Sequence, residues 1–424
     1  MATLNDIKMK CNLSTRQNGT LNETANTTGL IDYDTMMKEH LEYRLSVDLY
    51  VYLLPFWVFL GTFGNCLSAV VSLLKQMRKY SMSTYMFFLA ISDTGVLLVS
   101  ALRYWMGKIV KNGDLKMLND PACKIIGGFL YHFVRHSSVW IVVLMTFERF
   151  IIAFFPLRAK TLVTKRHPVL ACLLVWGVLA IIDLNLLWVY ELIYDCIVTE
   201  TTVSIQKRCF TTKARFIWPW IDFLLYSALP ISLLIIFNTL LCVKLLQTSK
   251  LRRSLTNNDF RHTTSTKNRT TKQDKANQEH KTYFLVVPLV ISTAFIVTTT
   301  PIAIMETIYS DITDVDPHTM AQIRLARTTF FILMYTNHSI NFILYWVTGR
   351  TFRNEVGNLV KCTPEDVTSH EPSLSISQNP SSVTFTIKSQ DVTSEDSGVT
   401  GLSIKWFNGE DCQFKNDDTT VSHM

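Results

Sequence analysis

Charged side chains say most where the surrounding sequence has no use for them. Asp93, Arg135, Asp183 and Asp222 each stand alone in a long apolar stretch. An ion in a low-dielectric interior is costly unless it is paired, solvated or met by a polar ligand, so such groups mark sites. Asp93, with Asn65, Ser138, Asn337 and Asn341, makes a polar set that forms either a hydrated cluster or plain hydrogen-bonded packing. Glu148 and Arg149 are adjacent, a paired charge that can be released. Arg103, Glu306 and Arg327, with His132 and His136, add further charge, and Trp105, Tyr131 and Trp220 stand among them. Ion pairing and recognition of a polar ligand are the chemistry these residue types offer. Neither a placed nucleophile–base pair nor a metal-ligand spacing is evident, so no enzyme is expected.

These residues need a frame, and the apolar runs supply it. The chain has 424 residues, of which 48% are hydrophobic and 18% charged. Leu49–Leu74, Thr282–Met305 and Thr328–Gly349 contain no Asp, Glu, Lys or Arg. Tyr80–Leu102, Ile125–Phe147, Val169–Tyr190 and Phe216–Val243 carry one isolated charge each. A helix rises ~1.5 Å per residue, so ~20 apolar residues cross a bilayer core. The expectation is an all-α membrane protein, a seven-transmembrane helix bundle over residues 49–347. Runs of this length and number have no place in a soluble core.

The net charge of +7 is distributed by side. Connections after the first, third and fifth runs are basic, with nine Lys/Arg between Lys250 and Lys281, whereas Ser310–Thr319 has none. Positive loops stay in the cytosol, which puts the N-terminus outside and predicts a plasma-membrane protein. These basic loops belong to a membrane protein, so nucleic acid is not an expected partner. Asn12, Asn18, Asn22 and Asn26 each open an Asn-x-Ser/Thr triplet, so residues 1–48 read as an extracellular glycosylated arm. Residues 348–362 read as a short amphipathic juxtamembrane helix on the membrane lipid, with Phe352, Val356, Leu359 and Val360 on one face. Residues 363–424 are rich in Ser, Thr, Asp and Glu and read as a disordered cytoplasmic tail. Cys362 is either acylated by palmitate or a free thiol. Cys11, Cys123, Cys196 and Cys209 face the exterior. A Cys123–Cys209 bridge would tie the loop before the fifth run over the bundle mouth, and Cys11–Cys196 is a second candidate, because sequence alone leaves connectivity open.

Residues 49–362 resemble a rhodopsin-like (class A) G-protein-coupled receptor. The likeness rests on Gly64-Asn65, Leu89-Ala-Ile-Ser-Asp93, Cys123, Phe147-Glu148-Arg149-Phe150, Trp176, Pro230, Phe295 with Pro301, and Asn341-Phe-Ile-Leu-Tyr345 followed by Phe352. It implies a heterotrimeric G protein as partner, contacted through Glu148, Arg149, Asn341 and Tyr345. It implies a sodium ion at Asp93, Ser138, Asn337 and Asn341, and a tail phosphorylated by a receptor kinase and read by arrestin. The departures are Thr299 where relatives carry a tryptophan, Phe342 in place of a proline, Asn238 in place of a tyrosine, and Lys281 in place of an acid.

Tyr131 stands where amine receptors carry an aspartate, which argues against an amine ligand. A mouth with both charge signs and many aromatics suits a short amidated peptide, met by Arg103, Trp105, Tyr131, Arg135, Trp220, Asp222, Glu306 and Arg327. Pairing of Arg135 with Asp222, and of Glu306 with Arg327, is the alternative use of those charges. Trp218-Pro-Trp-Ile-Asp222 and Asn337-His-Ser-Ile-Asn-Phe resemble invertebrate FMRFamide-like neuropeptide receptors. A receptor for a non-peptide small molecule is the second reading. A seven-span transporter is the third, and it predicts internal repeats that the sequence lacks.

Overall fold

A computed structural model describes residues 35–110, 113–157, 166–198, 203–211, 217–259, 270–309 and 315–361. The helices are α1 (Leu41–Leu73), α2 (Ser81–Ile109), α3 (Asp120–Phe154), α4 (Arg166–Val189) and α5 (Trp218–Lys250). They continue as α6 (Thr270–Tyr309), α7 (Pro317–Ser339), α8 (Asn341–Thr348) and α9 (Arg350–Lys361). The chain divides into two compact units, Met1–Glu355 and Val356–Met424. Of the second, the end of α9 alone is described.

Six helices, α1 to α5 and the Val286–Tyr309 part of α6, are long and apolar enough to cross a membrane. α7 completes the seven with 23 residues but carries Arg324, Arg327, His318 and His338. The apolar run Thr328–Gly349 is divided at Ile340, whose φ of −92° and ψ of −3° end α7 before α8 begins. A serine bonded back to its own helix bends it, and the single Ser339 hydroxyl proton is shared between Tyr335 O (2.9 Å) and Trp57 O of α1 (3.0 Å). The break therefore forms without the proline that Phe342 replaces. α1 begins at Leu41 rather than Leu49, because the polar turns Leu41–Asp48 are helical and pack on α7. Wider-wound segments interrupt the helices at Leu49–Leu53, Leu97–Leu102, Cys123–Leu130 and Leu224–Ala228. Such insertions are frequent near functional sites.

α3 is the hub and packs against α2, α4, α5 and α6, while α7 and α8 close onto α1 and α6. Large apolar side chains point outward, Phe59 and Ile181 among them. Polar ones point inward: Asp93, Ser138, Asp183, Thr299, Asn337 and Asn341 are buried. That inversion suits a lipid environment, where the polar interior is internally bonded. One β element joins the bundle, an antiparallel hairpin of β1 (Tyr190–Val198) and β2 (Val203–Thr211) between α4 and α5.

Candidate ligand and switching sites

The hairpin lies at one end of the bundle, and Glu148-Arg149 lies at the other. Cys123 on α3 and Cys209 on β2 are disulfide-bonded, with a Cα–Cα distance of 5.7 Å. The Leu192 amide also donates to Asp120 Oδ1 (3.0 Å), so both strands are fastened to the start of α3. Cys11, the other half of the second candidate bridge, is outside the described residues, as are Asn12, Asn18, Asn22, Asn26 and Cys362.

Beneath the hairpin is a buried acid–base cluster. His132, Arg135 and His136 fall at i, i+3 and i+4 on α3 and so share one face. The Nδ1 of His132 lies 2.7 Å from Asp222 Oδ1, and its Nε2 lies 3.1 Å from the Tyr190 hydroxyl. The Nε2 of His136 lies 3.2 Å from the same Asp222 oxygen, and its Nδ1 lies 3.1 Å from each Asp183 oxygen. Arg135 Nη1 approaches Asp222 Oδ2 at 3.7 Å. Its guanidinium stacks over Tyr226 and Tyr131, 3.9 and 4.8 Å from the ring centroids. Three side chains of α3 thus meet the Asp222 carboxylate of α5, with Asp183 of α4 and Tyr190 of β1 behind the two imidazoles.

The other residues expected at the mouth are distributed differently. Arg103 is satisfied by Asp114 Oδ1 (2.7 Å) and Val99 O (3.0 Å). Glu306 and Arg327 pair between α6 and α7 through contacts of 2.5 and 3.1 Å. Arg327 also helps line a cavity of about 150 Å³ with Tyr50, Tyr104, Tyr309 and Arg324. Trp105 donates to Val51 O of α1 (2.9 Å). Trp220 is 66% exposed, and the tryptophan that meets the cluster is Trp218, edge-on to His132 at 5.4 Å. Pro219 separates the two, and residues two apart on a helix point about 200° apart, to nearly opposite faces. Just outside the membrane-spanning segments, burial and the neighbouring Arg103 cation push the Lys116 ammonium down to about 8, with Asp114 opposing.

Midway along the bundle, Asp93 Oδ1 accepts from Ser138 Oγ (2.6 Å) and lies 2.7 Å from His338 Nδ1, and Oδ2 accepts from Asn341 Nδ2 (2.6 Å). Asn65 donates to His338 O (3.0 Å), tying α1 to α7. Asn337 is buried nearby, but its Oδ1 has no hydrogen-bond partner among the described residues. The Asp93 carboxylate thus meets Ser138 and Asn341 of the expected sodium set together with an imidazole that the set did not include. The residue after Asn337 takes the place assigned to Asn337 itself.

At the opposite end, Arg149 Nη2 donates to Glu148 Oε2 (2.8 Å) and to Ser81 Oγ (3.2 Å), and Ser81 Oγ donates to Glu148 Oε2 (3.0 Å). Tyr345 is buried against Phe352 of α9, with ring centroids 5.6 Å apart. Ser292 Oγ donates to Asn238 Oδ1 (2.9 Å), joining α6 to α5 where a tyrosine is missing. Lys281 lies in α6, but its side chain is outside the described residues.

Some of these partners escaped the sequence. His338, Tyr190, Tyr226, Ser81 and Asp114 carry no signal beyond their residue type. The pair His132 and His136 does carry one: histidines four apart on a helix share a face and can bind a metal. A metal-ligand spacing is therefore present, contrary to expectation, and with Asp222 its ligand atoms lie within 4.8 Å of one another.

A membrane-embedded, multi-pass bundle with a buried polar axis, a hairpin tethered at one end and a paired arginine at the other defines a class of helical receptor. The family model described as "7 transmembrane receptor (rhodopsin family)" matches residues 64–345, and the chain belongs to that family of G-protein-coupled receptors. The chain is similar to mouse neuromedin-U receptor 2, 23% identical over 78% of this chain and 81% of that one. It is also similar to mouse C-C chemokine receptor 1-like protein 1, 27% identical over 31% of this chain and 36% of that one. Chicken lysophosphatidic acid receptor 6 is 29% identical over 28% of this chain and 36% of that one. The match thus spans about a third of the chemokine-type relative and most of the neuromedin-U one.

Proposed function

We propose that this chain is a plasma-membrane receptor with its N-terminus outside that binds a short amidated peptide and activates a heterotrimeric G protein. The observation that carries the reading is the buried cluster under the hairpin. There Asp222 is approached by His132, Arg135 and His136 and is the least enclosed of the four. A cationic peptide side chain would meet Asp222, or would displace Arg327 from Glu306, and a carbonyl or terminal amide would meet Arg135. The names of the neuromedin-U and chemokine receptors agree with a peptide. Ligand binding at the hairpin end is then coupled through α3 to release of Arg149 from Glu148 and Ser81, which exposes the G-protein surface. Residues 363–424 would be phosphorylated by a receptor kinase and read by arrestin.

A non-peptide anion is the second reading. Arg135 favours it, since its buried Nε has no partner among the described residues, and one relative is named for lysophosphatidic acid.

Calcium and cAMP responses of expressing cells to a library of amidated peptides separate the readings. The peptide reading predicts a hit whose potency falls strongly in Glu306→Gln. Unchanged potency removes Glu306 from the site, and a response to organic anions alone supports the second reading.

A further inference from the structure

We propose that His132, His136 and Asp222 form a binding site for a divalent transition-metal ion of the zinc class, clamping α3 to α5 beneath the hairpin. Three independent features point there. The first is ligand type and position. Two imidazoles four residues apart on one helix and a carboxylate from the next offer their ligand atoms within 4.8 Å of one another. In a tetrahedral site with bonds of about 2.0–2.1 Å, neighbouring ligand atoms are about 3.3 Å apart. The His136 Nε2–Asp222 Oδ1 distance is 3.2 Å and the His132 Nδ1–Asp222 Oδ1 distance is 2.7 Å. To admit the ion, His132 Nδ1 must move about 0.6 Å away from Asp222 Oδ1 and close toward His136 Nε2.

The second feature is the outer shell. Metal-bound histidines give their other ring nitrogen to an acceptor that fixes the ring. His136 Nδ1 faces the fully buried Asp183 carboxylate at 3.1 Å, and His132 Nε2 faces the Tyr190 hydroxyl at 3.1 Å. Both rings are thus aimed at Asp222 by partners on α4 and at the start of β1.

The third is an electrostatic conflict that the ion resolves. Both nitrogens of His136 face carboxylate oxygens. A neutral imidazole has one N–H and one lone pair, so one contact sets a lone pair against a carboxylate unless a proton or a metal cation lies between them. The charges facing the group are Asp183, Asp222 and Arg135, which leave one negative charge with both imidazoles neutral. Arg135 approaches the other Asp222 oxygen at 3.7 Å, leaving Oδ1 to the metal. Two histidines and one carboxylate leave a fourth position open, and the ion and a cationic ligand side chain compete for Asp222. Imidazole ligands suit copper or zinc, whereas magnesium and calcium prefer all-oxygen sites.

A second trio, His40, Glu42 and His318, lies at an exposed position and must be removed from the measurement. The test uses full-length receptor in lipid nanodiscs, stripped with chelator and carrying His318→Gln. Zinc is titrated while bound metal and the thermal midpoint are followed. The proposal predicts one tightly bound zinc per receptor and a rise in midpoint on the order of 5 °C, both lost in His132→Gln and reversed by chelator. No tight zinc in the His318→Gln receptor, or equal binding after His132→Gln, overturns it and leaves a proton on His136 as the resolution of the conflict. Cobalt(II) provides a readout that leaves the core unchanged. Visible d–d bands of a four-coordinate nitrogen–oxygen site support the proposal even if His132→Gln does not fold, and their absence contradicts it.

Discussion

At the scale of single residues, the two ends of α3 hold the functional charges in different ways. Arg149 is restrained by Glu148 beside it on α3 and by Ser81 at the start of α2. A charge-assisted hydrogen bond contributes ~1.5–3 kcal/mol, so Glu148→Gln should raise ligand-independent nucleotide exchange on a G protein by ~10-fold or more. Unchanged basal exchange at equal receptor density would contradict the restraint. His338 makes an opposite kind of prediction. With its imidazole beside Asp93 Oδ1, sodium should leave the thermal midpoint of the wild type unchanged, whereas His338→Ser should make it rise with sodium. Asp93 was legible in the sequence because a carboxylate in an apolar run has no other reason to be there. His338 was not, because a neutral-range side chain beside Asn337 breaks no pattern. Asn337 and His338 are adjacent, and only the helix phase set by the break at Ile340 decides which of them meets Asp93.

At the scale of elements, close approach and tethering decide the geometry. A Cβ on Gly61 of α1 would lie 2.6 Å from Ser339 Oγ and 2.5 Å from Leu97 Cδ1. Overpacking of this kind costs ~1–3 kcal/mol, so Gly61→Ala should lower the thermal midpoint, and a larger side chain should lower it further. The hairpin depends on Cys123–Cys209, which closes a loop of 86 residues. The chain-entropy argument gives ~4–5 kcal/mol for such a loop, an upper bound here because the helices stay inserted when the bond is cut. Cys209→Ser should therefore weaken ligand binding more than it weakens expression. Lys116 lies where the hairpin meets α3, with the Cys209 sulfur and the Lys116 stem both close to Gly127. Its ammonium titrates near 8 in the folded chain against an ordinary 10.5. Between those values the unfolded chain holds more protons, so this group's contribution to stability rises with pH from about 8 to 10.5. Lys116→Met should flatten that rise and stabilise the receptor at pH 7, as a thermal-shift series in pH would read. Helix number and loop polarity were legible from the apolar runs. The hairpin, the helical turns before Leu49 and the break at Ile340 were not, because each depends on contacts between distant segments.

For the whole molecule, the cluster under the hairpin and the Arg149 clasp share α3, and the Asp93 set joins α3 to α2 and α7 between them. A ligand that prefers one arrangement of the cluster under the hairpin can shift the population at the far end only by its differential affinity for the two states. The direct measurement is the potency of an activating amidated peptide in cells expressing the wild type or Asp222→Asn at equal surface density. If Asp222 is the anchor of the ligand site, potency falls by ~10-fold or more, as expected for losing a charged hydrogen bond, while basal signalling is retained. A peptide that activates both receptors with equal potency, or a solute flux with no G-protein signal, would contradict the account.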